Sequence, residues 1–142
     1  MNYPDQLDVA WLVSDQDGQL ASMITAGEGP IPLDILARSD CTEIEDALLD
    51  LPVIGEALLK TEVPNPGSFI ELGRRGIFVY DWRDTHRPNS IVHKAYELMC
   101  SPTIRIHRED LPRNLFDLTY KIDTMFGDTP IRAVGWFDPK HL

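Results

Sequence analysis

Two short apolar runs, Val9-Ala10-Trp11-Leu12-Val13 and Leu20 to Thr25, are separated by Asp15-Gln16-Asp17-Gly18. The Asp-Gly step supplies the positive φ that a tight turn needs, and each run is strand-sized and rich in β-branched and aromatic residues. The pattern predicts a β-hairpin over residues 9–25. Both faces of its first strand are apolar, so that strand belongs inside a sheet rather than at its edge. This commits the chain to a sheet.

Gly27-Glu28-Gly29-Pro30-Ile31-Pro32 cannot continue a central strand, because each proline removes a ladder donor. Thr42-Glu43-Ile44-Glu45 has the spacing of a capping box, with Thr42 as N-cap and Glu45 at the third helical position. Ile44, Ala47, Leu48 and Leu51 share one face of that helix, while Glu43, Asp46 and Asp50 point away. Pro52 ends it, and Val53 to Lys60 reads as a second short helix. A loop over 62–68 follows. Phe69 to Leu72 and Ile77 to Trp82 read as strands of a second hairpin, over residues 69–82, joined by Gly73-Arg74-Arg75-Gly76. Arg83 to Ser90 reads as an exposed loop. Residues 91–99 fit a helix or a strand, and the hairpin-rich neighbourhood favours the strand. Pro102 ends it, and Thr103 to His107 reads as another short strand. Leu111, Leu115, Leu118 and Ile122 follow helical spacing, with Asp110 as N-cap and Pro112 in the first turn. A last strand covers Ile131 to Trp136. The sum is a single α+β domain over residues 1–142, with a mainly antiparallel, hairpin-linked sheet and about three short helices.

The charge is unevenly placed. Residues 1–64 carry thirteen acids and two bases, a net of −11, whereas residues 65–142 carry ten acids and eleven bases, a net of +1. A field of this kind attracts a basic partner and repels nucleic acid and anionic lipid. Its simpler use is solubility. The acids of interest are Asp15 and Asp17 at the hairpin tip, Glu28 in the following turn, and Asp40, Glu43, Asp46 and Asp50 in and before the helix from Thr42. Unpaired like charges at this density cost a little stability, which points to a partner. No apolar run approaches the 18 or so residues of a membrane span. The N-terminal residues lack the basic and apolar regions of a secretory signal, so the chain reads as cytoplasmic. Cys41 and Cys100 form no CxxC pattern and read as two buried free thiols.

Catalytic patterns are scarce. His86, His93, His107 and His141 make no metal-ligand spacing, and GxSxG, Walker and GxGxxG loops are missing from the sequence. The expectation is no catalytic residue, no metal and no cofactor. Arg74, Arg75, Arg83 and Arg87 form a small basic patch that ion pairs with Glu71, Asp81 and Asp84 would account for. Phe78, Tyr80 and Trp82 line one strand face, as a stacking platform or, more simply, as core. A small-ligand site or enzyme built on Trp82, His93 and His107 is the alternative reading. An adaptor or chaperone for a secreted effector is a third.

The segments at 9–13, 17–18, 27–32 and 71–82 resemble small acidic bacterial proteins encoded beside secreted polymorphic toxins of the type VI secretion and Rhs kind. Those proteins are usually immunity proteins. The shared features are turns and strands, so the resemblance brings no active site with it. It implies a cytoplasmic, non-catalytic protein that binds a cognate basic toxin domain and blocks its active site. Asp15, Asp17, Glu28, Asp40, Glu43, Asp46 and Asp50 are the partner-binding candidates. Oligomeric state stays open.

Overall fold

The computed structural model describes residues 3–4, 7–39, 41–60, 66–82, 95–127, 130–132 and 136. Among them, seven strands form one mixed sheet: β1 (Ala10–Ser14), β2 (Leu20–Ile24), β3 (Ala57–Leu59), β4 (Phe78–Trp82), β5 (Ala95–Pro102), β6 (Thr119–Lys121) and β7 (Ile131–Arg132). Four helices accompany them: α1 (Leu33–Leu36), α2 (Ile44–Leu49), α3 (Gly67–Arg74) and α4 (Arg113–Phe116). The sheet order is β3-β5-β4-β2-β1-β6, with β7 also paired to β5. The fold is α+β.

The hairpin forms as its sequence requires. β1 and β2 pair antiparallel from Ala10↔Ile24 to Ser14↔Leu20, and Gly18 turns the chain at φ 82°. β1 lies inside the sheet, between β2 and β6. The sheet is not built from hairpins alone, however. Two of its six pairings are parallel, β1 with β6 and β2 with β4. After β2 the chain passes through α1, α2, β3 and α3 before β4 returns in the same direction, and a parallel pair requires a long connection of this sort.

Pleating divides the side chains between two buried faces. Leu12, Ser22, Val79 and Cys100 are in register across β1, β2, β4 and β5 on one face. α2 packs on β1, and α3 packs on β3, β4 and β5. Gly73 of α3 sits so close to this face that a Cβ there would lie 3.0 Å from Cys100 Sγ. On the other face Trp11 is in edge-to-face contact with Tyr96, Tyr120 and Trp136. Trp11 Nε1 donates to Tyr96 Oη at 3.2 Å, and Tyr96 Oη donates to Pro30 O at 2.9 Å, so the polar atoms of these two buried rings are satisfied. Burial pushes the Tyr96 hydroxyl well above the usual phenol range. Phe78, Tyr80 and Trp82 are all buried, so this strand face is core and not a stacking platform.

Four other elements differ from their sequence reading. Residues 69–82 are not a hairpin. Gly67–Arg74 is helix α3, and the Gly73-Arg74-Arg75-Gly76 stretch is its C-terminal cap. Gly76 takes φ 90°, Gly76 N donates to Gly73 O at 3.0 Å, and Ile77 N donates to Leu72 O at 3.2 Å. These two bonds make a Schellman motif, completed by the fully buried pair Leu72 and Ile77. Residues 53–60 hold no helix. Ala57–Leu59 is β3, drawn into the sheet by β5, with Thr103 N to Glu56 O and Lys60 N to Met99 O extending the pairing. The helix expected over 111–122 is a single turn, α4, because Thr119–Lys121 pairs with β1 as β6. Asp110 instead closes a 3₁₀ turn, where its carboxylate accepts from His107 N and His107 Nδ1 accepts from Glu109 N. Thr103 to His107 forms only an isolated bridge, between Gln19 and His107.

Residues 95–102 are a strand, the alternative favoured for the ambiguous 91–99 segment, whose first four residues lie outside the described set. The loop expected over 83–90 also lies outside the described residues. Cys41 and Cys100 are buried free thiols, and burial pushes the Cys100 thiol up to about 11.

Candidate functional site

Helix α2 carries the candidate surface. It begins at Ile44, with Glu43 as N-cap and no side-chain cap hydrogen bond, so the capping box expected of Thr42 and Glu45 does not form. Ile44 and Leu48 are buried, and Ala47 and Leu49 are partly buried against the core. Glu43, Asp46 and Asp50 are exposed, as the amphipathic pattern requires. The far end of the helix is held by Arg75. Its Nε donates to Leu49 O at 3.0 Å and Leu51 O at 2.9 Å, and its Nη1 donates to Glu71 Oε1 at 2.9 Å. A cation at the last carbonyls of a helix satisfies them and opposes the negative end of its dipole. Arg74 also pairs with Glu71, at 3.2 Å. Hydrogen bonds from Arg75 and then Arg74 hold the Glu71 carboxyl below the usual carboxylate range. Arg75 thus fixes α2 on α3, and both Arg74 and Arg75 take the ion-pair role expected of them with Glu71. The other members of the expected basic patch, Arg83 and Arg87, and the expected partner Asp84 lie outside the described residues.

The remaining acids are dispersed. Asp17 is exposed at the hairpin tip and Glu28 is half-buried in the turn after β2. Asp40 lies outside the described residues. Asp15 is not on the surface at all: it is 0% exposed. Its Oδ1 accepts from Asp17 N at 3.0 Å and Gln19 N at 2.9 Å, while its Oδ2 accepts from Gln19 Nε2 at 2.6 Å and Phe126 N at 3.2 Å. The carboxylate is used up inside the turn, as an Asx-type staple that also anchors the segment at Phe126. Asp15 therefore leaves the set of partner-binding candidates.

Sequence reasoning missed a cleft of about 90 Å³ beside α2, lined by Asp8, Val9, Ala10, Ile24, Glu45, Ser68 and Phe69. Glu45 is half-buried there. Desolvation first, then the charges of Asp8 and Asp46, raise its pKa above the usual carboxylate value. Asp8 Oδ1 accepts from Ala26 N at 3.0 Å. The signal for Glu45 was present in the helical wheel: at about 100° per residue it falls between the apolar stripe and the outward acids.

The alternative site does not assemble among the described residues. Trp82 is buried at one end of β4, beside Tyr96. His107 caps the 3₁₀ turn at the opposite end, against Gly18 and Gln19. His93 lies outside the described residues. No group of three or more metal-ligating side chains is found among the described residues, and none of their helices is long and apolar enough to cross a membrane.

Comparison of the chain with protein-family models, with curated proteins and with solved structures finds no match in any of the three.

Proposed function

We propose that this chain is a binding protein for a basic protein partner, of the immunity kind: it captures a toxin domain and covers the cationic cleft with which that domain holds its substrate. The observation that carries the reading is the outward acidic face of α2. Glu43, Asp46 and Asp50 project from a helix locked at its C-terminal end by Arg75, within the half of the chain that carries a net charge of −11. Fixed charges of one sign steer a cationic partner into encounter and disfavour neutral or acidic competitors. Such a partner is matched by charge before contact and by apolar anchors after it, so association is fast and salt-sensitive and dissociation is set locally.

The test is direct. The product of the reading frame adjacent to this gene is purified, or its toxicity scored in cells, with and without this chain. Binding together with rescue of growth supports the reading. Lack of binding by a toxic neighbour, or binding without any rescue, counts against immunity, the latter in favour of an adaptor.

A further inference from the structure

The cleft beside α2 combines apolar walls with oxygen-bearing side chains. Val9, Ile24 and Phe69 give it apolar walls, whereas Asp8, Glu45 and Ser68 supply oxygen. Its volume of about 90 Å³ is several times the roughly 10–15 Å³ that one water needs. That is room for the end of a lysine side chain. Among the described residues, Glu45 has no cation and no hydrogen-bond donor beside it, only the like charges of Asp8 and Asp46.

We infer that this cleft seats one lysine side chain of the partner, with its methylenes against Ile24 and Phe69 and its ammonium between Asp8 and Glu45. The inference rests on the reading of this chain as a binder of a basic protein, and it names the contact that holds the complex together. An ammonium has three donors in a tetrahedral arrangement, which suits two carboxylates and a hydroxyl that line one cleft from different elements. The raised Glu45 pKa agrees with this. A half-buried carboxylate facing like charges is a poor element of the free protein, and a cation placed against it relieves both desolvation and repulsion. Glu43 and Asp50 act on encounter from the exposed face, whereas Glu45 acts on residence.

The experiment uses the full ¹⁵N-labelled chain and two tripeptides, acetyl-Gly-Lys-Gly-amide and the same peptide with norleucine for lysine. The lysine peptide is expected to give saturable shifts confined to the amides around Val9, Ile24 and Phe69, at millimolar concentration, and the norleucine peptide none. Glu45→Gln should weaken the lysine peptide at least fivefold, while Glu43→Gln combined with Asp50→Asn leaves it within twofold. Glu45→Gln removes a repelled charge, so its melting temperature should not fall below the parent's, and loss of binding cannot be assigned to unfolding. Diffuse shifts, equal shifts from norleucine, or shifts from magnesium or calcium with none from the lysine peptide would overturn the proposal. A second arm uses the protein partner: Glu45→Gln should speed dissociation roughly tenfold with association unchanged. A partner that binds and leaves Glu45→Gln at the parent rate overturns the cleft and spares the binding function. Lysine-peptide capture in the cleft with no protein partner does the reverse.

Discussion

Asp15→Asn is a nearly isosteric change that should destabilise this protein severely. Both carboxylate oxygens of Asp15 are occupied, each by two N–H donors, and the side chain is completely buried. Asparagine has one acceptor oxygen and one NH₂ group. If the NH₂ replaces Oδ1 it meets two backbone donors, from Asp17 and Gln19, which cannot reverse. If it replaces Oδ2 it meets Phe126 N and Gln19 Nε2. Gln19 could flip its amide, but its Oε1 already accepts from Arg105 Nη1 at 2.6 Å, so the flip transfers the conflict to Arg105. Either orientation loses two charge-assisted hydrogen bonds, each worth about 1.5–3 kcal/mol, and the expected loss is roughly 3–5 kcal/mol. For a chain of this size that corresponds to a fall in melting temperature of roughly 10–15 °C. Urea denaturation followed by tryptophan fluorescence measures it, with the fully buried Trp11 of β1 as a reporter. Asp17→Asn, at an exposed neighbour, is the control and should stay within about 0.5 kcal/mol of the parent. A loss below about 1 kcal/mol for Asp15→Asn, or an equal loss for Asp17→Asn, would refute the internal role of Asp15.

Glu45→Gln should raise stability at pH 7, and the gain should shrink as the pH is lowered. The folded state raises the Glu45 pKa, so between the unfolded value and the folded one the native chain holds the extra proton, and this group's contribution to stability falls as pH rises through that window. Glu71 has the opposite sign: its lowered pKa makes its contribution present above the unfolded value and lost as the pH falls, so thermal melts of Glu71→Gln should differ from the parent at pH 7 and converge in acid. Gly76→Ala should cost about 2 kcal/mol or more in denaturant unfolding, because its φ is 90° and a Cβ would lie 2.7 Å from Ile106 N, whereas Gly67→Ala, with nothing within 4 Å, should be neutral or slightly stabilising. Arg75→Ala should lower stability by about 1–3 kcal/mol and selectively speed amide exchange in α2, because the Leu49 and Leu51 carbonyls lose their donor. Cys100 should resist thiol reagents in the native state at pH 8 and react only on unfolding, since its pKa is pushed up to about 11.

Local chemistry was legible in the sequence, and long-range pairing was not. Asp17-Gly18 encodes the first hairpin because the turn needs only its own residues. Gly76 shows the limit. A left-handed glycine serves a hairpin turn or a helix cap equally well, and the Glu71 to Arg74 and Arg75 spacings were the overlooked sign of a helix. Leu111 to Ile122 has helical periodicity, yet Thr119–Lys121 joins the sheet because β1 offers it a partner more than 100 residues upstream. Val53 to Lys60 yields to β5 in the same way. The acidic face of α2 was readable from periodicity, since exposure follows from the helix itself. The burial of Asp15 was not, because its fourth donor is Phe126, 111 residues away. The cleft was hidden for the same reason, as its walls come from β1, β2, α2 and α3.

The central claim is that the acidic face of α2 captures a basic protein, and stopped-flow association with the product of the adjacent reading frame tests it most directly. Glu43→Lys combined with Asp46→Lys is compared with Glu109→Lys combined with Asp123→Lys, which changes the net charge equally at exposed acids of the other half. The account predicts that the α2 variant associates roughly tenfold more slowly at low salt, that the deficit shrinks strongly as salt is raised, and that the control moves by no more than a small factor. Equal association rates for the parent and the α2 variant at every salt concentration would contradict it, and the charged face would then serve solubility alone.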